Sequence, residues 1–490
     1  MKKYIVTIDQ STSASKVFLL DEKGEIIRRF SKPHQQFYPA PGYVEHDAEE
    51  IYQNVVEGVS AVLTGIDLRE VGGIAISNQR ETTVFWDRKS GKPVCHAVVW
   101  QDVRGEKIVQ ELSEQKKQVL QKTGLALSAY YPAAKAAAVF REAPDLWERA
   151  RGGEICLGTV DSYLIYRLSG CKLHATDVSN ASRTQLFNLS SLKWDDELLS
   201  LFNIPVEVMA KQILHSDAIF TTVTCKEIPF DIPIAGVMGD SHAALFGNGC
   251  HISGAAKATY GTGSSVMLNV GSNPILSSNG LSASVGFGFK GNICFVLEGN
   301  ITCSGDTLVW LRDELKLIDD VKDVEKIAAT VQDTQGVCLV PAFSGLGAPY
   351  FDGNARALIC GINRSTTKEH ILRAALESIA HQNADCLDAM KKDFGRDIDQ
   401  IYADGAPTAN KLLMQMQADF VPCEVICSQS SELSALGAGY MAGITTEVYA
   451  SFEEIEHRKQ KNKKYIPILP EINRKQLRDD WKGAVSKARY

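Results

Sequence analysis

Hydrophobic positions along the chain follow two rhythms: short apolar runs closed by Gly, Asp or Ser, and longer stretches with apolar residues three and four apart. The first rhythm predicts strands at residues 4–8, 17–20, 26–30, 71–77, 83–86, 234–238, 293–297 and 401–403. The second predicts helices at 48–63, 134–140, 145–151, 162–168, 194–201, 304–315, 411–420 and 434–442. Asp47 is placed to cap the first of these. The firmest helix spans 367–393, with Ile371, Leu372, Ala375, Leu376, Ile379, Leu387 and Met390 as its apolar stripe and Thr366 with Glu369 as a capping box. Residues 472–490 predict a charged helical tail.

One local pattern occurs twice. Residues 4–20 read as strand, hydroxyl-rich turn (Asp9-Gln10-Ser11-Thr12-Ser13-Ala14-Ser15-Lys16), strand, and residues 255–270 (AAKATYGTGSSVMLNV) read the same way. Two such hairpins imply a duplicated α/β architecture with a nucleotide between the halves. A chain of 490 residues is also too long for one core. The expected division is 1–247, 248–445 and a helical tail at 446–490.

Composition narrows the function. A net charge of −7 leaves no electrostatic footprint for nucleic acid or an anionic membrane. No apolar run is long enough to span a bilayer, and Met-Lys-Lys leads into a strand rather than a signal peptide. The 12 cysteines form no CxxC pair, which predicts reduced thiols in a cytoplasmic protein. The basic run 457–464 reads as a solvated loop.

Three places carry candidate chemistry. Asp240 follows the buried run 234–238 at a strand-to-helix junction, where it either caps the helix or serves a reaction. The turn after Asp9 offers N–H groups, hydroxyls and Lys16 to an anion beside a carboxylate, unless it is only a polar hairpin loop. Arg80 and Glu81, at a strand exit and with Trp100 downstream, suit a polyhydroxylated ligand; a surface ion pair beside a core tryptophan is the alternative. Residues 176–187 read as an ordered polar loop lining a cleft. Residues 401–410 form a strand–Asp-Gly-Ala–helix junction where backbone can approach a nucleotide. The small residues of 434–442 suit tight helix packing.

Together these segments resemble the FGGY carbohydrate kinases over nearly the whole chain, and within them the branch that phosphorylates glycerol. The matching stretches include GYVEHD, SNQRETTVFWD, GKPVCHAVVWQD, TDVSNASRTQLFN, ATYGTG, PAFSGLGAPY and ALICGINRSTTKEHILRAALE. The resemblance implies an actin/ribonuclease-H-like ATPase fold of two domains around a cleft, with Mg2+ and ATP on one side and a small polyol or sugar on the other. Asp240 falls on the family's catalytic base. Arg80, Glu81, Trp100 and Tyr130 fall on the polyol pocket, and Asp9, with Asp240, on the metal-facing position. Thr12, Ser13 and Lys16 match the phosphate turn, and Thr262, Gly263, Gly305, Ala406 and Asn410 match positions around the nucleotide. A homo-oligomer, dimer or tetramer, is the family's habit.

The chain also departs from that branch. Ser241 stands where a glutamine follows the catalytic Asp, and Ser265 where an aromatic follows the YGTG turn, which predicts a roomier, more polar pocket. Lys16 replaces an arginine, losing its bidentate fork. Asp306, Val309 and Ala406 replace a small residue, Gln and Gly, and Ala406 would be costly if its site required positive φ. The stretch 220–233 lacks the glycine-rich loop that binds fructose 1,6-bisphosphate in some relatives. Three readings follow: a glycerol kinase; the same chemistry on erythritol, erythrulose, ribulose or xylulose; and a non-catalytic actin- or Hsp70-like nucleotide switch.

Overall fold

Two mixed sheets built on one strand order organise the chain in a computed structural model that describes residues 2–228, 230–458 and 462–489. In the first sheet, Tyr4–Gln10, Ala14–Leu20 and Ile26–Pro33 form an antiparallel meander. Val71–Asn78 and then Pro233–Gly239 add beside the first strand, both in parallel register. The second sheet repeats this: Ala256–Tyr260, Ser264–Gly271 and Asn292–Ile301 are antiparallel, and Gln400–Asp404 and Glu424–Cys427 add in parallel. The expected ribonuclease-H-like arrangement is therefore present twice. The duplication legible in two hairpins extends to whole sheets.

Both faces of the first sheet are covered. Val6, Ile8, Val17 and Leu19 point to one face and pack with Ile51, Tyr52, Val55 and Val59 of helix Ala48–Leu63, which Asp47 caps by accepting the Glu49 N–H. Ile5, Phe18 and Leu20 point to the other, against helices Asp240–Gly247 and Leu433–Thr445. The second of these helices comes from the far end of the sequence, so it ties the two sheets together. Its small residues permit a close crossing: a Cβ on Gly437 would lie 1.8 Å from the Ala243 carbonyl oxygen. Gly437→Ala is expected to force the helices apart at a cost of about 1–3 kcal/mol. A fall in the urea midpoint checks this, and an unchanged midpoint would contradict it.

Several expectations need correction. Helix Lys368–Phe394 is capped by Thr367 with His370, one residue beyond the expected Thr366 and Glu369. The Thr366 hydroxyl is engaged instead with the Asn363 N–H at 2.9 Å, holding the preceding turn. The charged helical tail is present as Glu471–Ala488, and it docks against helix Lys368–Phe394. Trp481 is buried and donates to Asp385 at 2.7 Å, while Arg478 reaches Asp385 and Asp388 at 2.6 and 2.9 Å. Within the basic run, residues 459–461 lie outside the described residues, and Lys463–Tyr465 forms an edge strand on Glu424–Cys427 rather than a loop. No helix among the described residues is long and apolar enough to cross a membrane.

Candidate active site in the cleft between the sheets

Three neighbouring parallel strands deliver the central residues to one edge of the first sheet. Gln10 pairs with Asn78, and Asn78 with Gly239, so Asp9, Arg80-Glu81 and Asp240 leave the sheet side by side. This carboxyl-terminal edge is where open α/β sheets gather ligands. Asp240 is not the helix cap; Gly239 occupies that position, and the Asp240 carboxylate accepts the neighbouring Ser241 N–H at 2.6 Å. Arg80 lies over Gly239, where a Cβ would come within 2.7 Å of its side chain, and brings Nε to 3.4 Å from Asp240 Oδ1. Some 35% of the Asp240 side chain stays exposed to the cleft. Desolvation raises its carboxyl above the ordinary value, opposed by the Arg80 charge.

Asp9 is buried and accepts from the Ser77 hydroxyl at 3.0 Å. Its carboxyl is pushed up to about 6 by burial, with Lys16 drawing it down and Asp240 pushing it up. Lys16 does not pair with it. Its ammonium crosses to Glu432 of the second half at 3.1 Å. Thr12 sits at the front of the same turn, where its hydroxyl accepts the Trp100 indole N–H at 3.0 Å, and Ser13 is exposed at the tip. Trp100 thus joins this turn to an aromatic wall, with the Tyr130 ring 5.7 Å away and edge-on.

The Arg80-Glu81 pair is not a surface ion pair. Each residue has a distant partner inside the protein. Arg80 donates both terminal nitrogens to Glu298 at 2.8 and 3.0 Å, and Arg183 donates to Glu81 at 2.6 Å while standing 2.9 Å from Glu298. Two guanidiniums and two carboxylates balance, which is how such charges tolerate burial. Glu81 is held at φ 60°, a conformation costly for a non-glycine residue and therefore imposed by these contacts. Of the two Glu81 oxygens, Oε1 is the one that accepts from Arg183. Ser265 donates to Glu298 at 3.2 Å, so it joins this network, and Ser241 lies half-buried beside Asp240.

Glu298 and Arg183 were missed in the sequence. A glutamate inside the apolar run of 293–297 and its continuation was the available signal for one. Arg183 lies within 176–187, which proves to be a buried connector rather than a cleft-lining loop: Asp177 caps Val178–Ala181, and Asn180 pairs with Asn78.

On the second sheet, the turn after Ala256–Tyr260 holds Thr262 and Gly263. The N–H groups of Ser304, Gly305 and Asp306 fold back onto its carbonyls at 2.8–3.2 Å. A Cβ on Gly305 would meet the Gly261 oxygen at 2.6 Å and approach Pro407 at 3.6 Å, so Gly305 abuts the 406–409 turn. Ala406 does not sit at positive φ. It opens the helical turn Ala406–Ala409, and Gly405, at φ 98°, takes the conformation only glycine suits. Asn410 caps helix Lys411–Phe420 through the Leu413 N–H at 2.9 Å. Thr262, Gly263, Gly305, Ala406 and Asn410 therefore lie on the second sheet's side, apart from Thr12, Ser13 and Lys16 on the first, and Ser265, in the same hairpin as Thr262, touches the Glu298 network.

The two-sheet fold thus brings carboxylates and cations together at one sheet edge, where open α/β folds bind ligands. The chain belongs to the FGGY family of carbohydrate kinases, whose N-terminal domain model matches residues 4–247 and whose C-terminal domain model matches 256–446. It is 44% identical over 488 residues to glycerol kinase 1 of Thermotoga maritima, covering 99% of each chain, and 43% identical over 488 residues to the glycerol kinase of Brevibacillus brevis, covering 99% of this chain and 98% of the other. Among solved structures, Plasmodium falciparum glycerol kinase with ADP superposes with a TM-score of 0.95 at 32% identity, over 99% of this chain and 98% of that one. A ligand-bound xylulose kinase from Lactobacillus acidophilus shares the fold, with a TM-score of 0.88 at 21% identity over 99% and 97% of the two chains.

Proposed function

We propose that this protein transfers the γ-phosphoryl group of ATP to a primary hydroxyl of glycerol, giving glycerol 3-phosphate and ADP, in the cytoplasm. The observation that carries the reading is the placement of Asp240, a partly exposed carboxylate beside Arg80 at the strand edge, within a site whose other polar groups are already oriented. Full-length similarity to proteins named glycerol kinase supports it.

The roles follow from the geometry. Phosphoryl transfer asks the protein mainly to position groups and spread negative charge. Glu81 Oε2 accepts from one polyol hydroxyl, and the unused N–H groups of Arg80 donate to another. Trp100 and Tyr130 cover the carbon chain. Asp240 takes the proton of the attacking hydroxyl as it becomes acidic late in the reaction. The Thr12–Lys16 turn and the Thr262–Gly263 turn hold phosphates from opposite lips, with Gly305, Ala406 and Asn410 around the nucleotide. Lys16 exchanges Glu432 for phosphate oxygen.

The donor set fits Mg2+. Among the described residues no group of three or more His, Cys, Asp or Glu side chains forms a metal cluster. Mg2+ typically takes one or two carboxylates and completes its shell with phosphate and water, and Asp9, buried and accepting from Ser77, is suited to it, with Asp240 near enough for its charge to raise the Asp9 carboxyl. When bound, the ion neutralises charge on the phosphates.

Ser241 and Ser265 favour one second reading, a four- or five-carbon polyol or ketose in the same site. The test is ADP release with Mg-ATP against glycerol, dihydroxyacetone, erythritol, erythrulose, ribulose and xylulose. Glycerol is expected to give a kcat/KM at least about tenfold above the others, a difference of about 1.4 kcal/mol. A longer substrate in first place would install the second reading, and no polyol-stimulated ADP release would leave only a nucleotide switch.

A further inference from the structure

Lys257 is fully buried, at 0% exposure, on the strand Ala256–Tyr260 that leads into the Thr262–Gly263 turn. A lysine so buried ordinarily has a carboxylate partner. Among the described residues Lys257 has none within ion-pair distance, and its ammonium makes one hydrogen bond, to the Thr259 hydroxyl at 2.8 Å. The register says which way this pair faces. Lys257 is opposite Met267, which is opposite Glu298, and Thr259 is opposite Ser265, so all share one face of the second sheet. That is the face on which Glu298 holds Arg80, and Arg80 meets Asp240. Lys257 is close enough to Asp240 for its charge to act on that carboxylate.

The Thr259 hydroxyl is half-buried and, among the described residues, donates to no protein acceptor. Because its oxygen already accepts from an ammonium, its own hydrogen is turned away from Lys257 and polarised into a stronger donor. We propose that Lys257 is a positioning residue for phosphoryl transfer, orienting the Thr259 hydroxyl so that it donates into the cleft to an oxygen of the transferring phosphoryl group. The pair thereby extends the cationic surroundings of the phosphate without placing a second mobile lysine in the cleft. This inference rests on the kinase reading above.

The test compares Thr259→Val, Thr259→Ser, Lys257→Met and the Lys257→Met/Thr259→Val double variant in the full-length protein. Thr259→Val is expected to lower kcat about 10–100-fold. Its affinity for ATP, by calorimetry without polyol, should fall about tenfold while that for ADP holds within about twofold. Thr259→Ser keeps the hydroxyl and should recover most of both. Lys257→Met should match Thr259→Val, and the double variant should be no worse than either, as residues acting in one chain require. Unchanged kcat and ATP affinity in Thr259→Val, or single effects that multiply in the double variant, would overturn the proposal. Should Lys257→Met fail to fold, the two Thr259 variants decide it. The ATP-over-ADP preference is read without turnover. A wild type that formed no ADP would therefore remove the kinase reading, while the preference and its loss in Thr259→Val would still decide this one.

Discussion

Asp240→Asn is expected to lower kcat by about 10²–10⁴-fold, the range for a lost general base. A polyol hydroxyl has a pKa far above neutrality and needs an acceptor as its oxygen bonds to phosphorus. In the proposed reaction Asp240 takes that task, since Asp9 is buried against Ser77 and Glu298 and Glu81 are both bonded to guanidiniums. Asparagine preserves volume and still accepts the Ser241 N–H, while Arg80 remains held by Glu298. The variant should therefore fold normally, bind ATP within about threefold of wild type and show a smaller change in polyol KM than in kcat, because the lost interaction belongs to the transition state. Stopped-time ADP assays with calorimetric ATP binding check the split. An asparagine variant retaining more than about a tenth of kcat would remove Asp240 from this role.

Local signals were the legible ones. Helix Lys411–Phe420 was readable to the residue because its cap, Asn410, is adjacent in sequence, and Ala48–Leu63 was readable for the same reason through Asp47. The Thr366–Thr367 pair defeated the same logic, since both hydroxyls fit a capping pattern and only the turn at Asn363 separates them. The tail was legible as a charged helix, whereas its high charge hides the few positions, Arg478, Trp481, Ala484 and Val485, that dock it. In the site, Arg80, Glu81 and Asp240 could be picked out as types in suggestive places, whereas their partners could not. Arg80 finds Glu298 at a separation of 218 residues, and Lys16 finds Glu432 at 416. Nothing local in the sequence encodes such a pairing. It exists because two duplicated sheets face each other, and that relation emerges only when both are built.

Glu298→Gln should show how much the facing depends on charge, and it is expected to destabilise the protein by about 3–5 kcal/mol. Glu298 is fully buried, and its two oxygens meet Arg80 at 2.8 and 3.0 Å, Arg183 at 2.9 Å and Ser265 at 3.2 Å. Burial alone would raise its carboxyl, but Arg80 and Arg183 overcome this and hold it well below the usual carboxylate range. A depressed carboxyl contributes stability above its unfolded value, near 4.3, and loses it as pH falls through the folded value. At neutral pH the contribution is fully present, so the variant is compared there. Glutamine removes one negative charge from a balanced group of four, leaves a net buried positive charge, and turns an NH2 toward a guanidinium that cannot accept. The two arginines come from the first half of the chain and Glu298 from the second, so the loss should loosen the join between the sheets as well as the pocket. A lowered urea midpoint together with a raised polyol KM is the expected signature. Adding Arg183→Met to Glu298→Gln restores the charge balance and should recover part of the midpoint. An equal or larger loss in the double variant would show that packing around Glu298, rather than its charge, carries the stability.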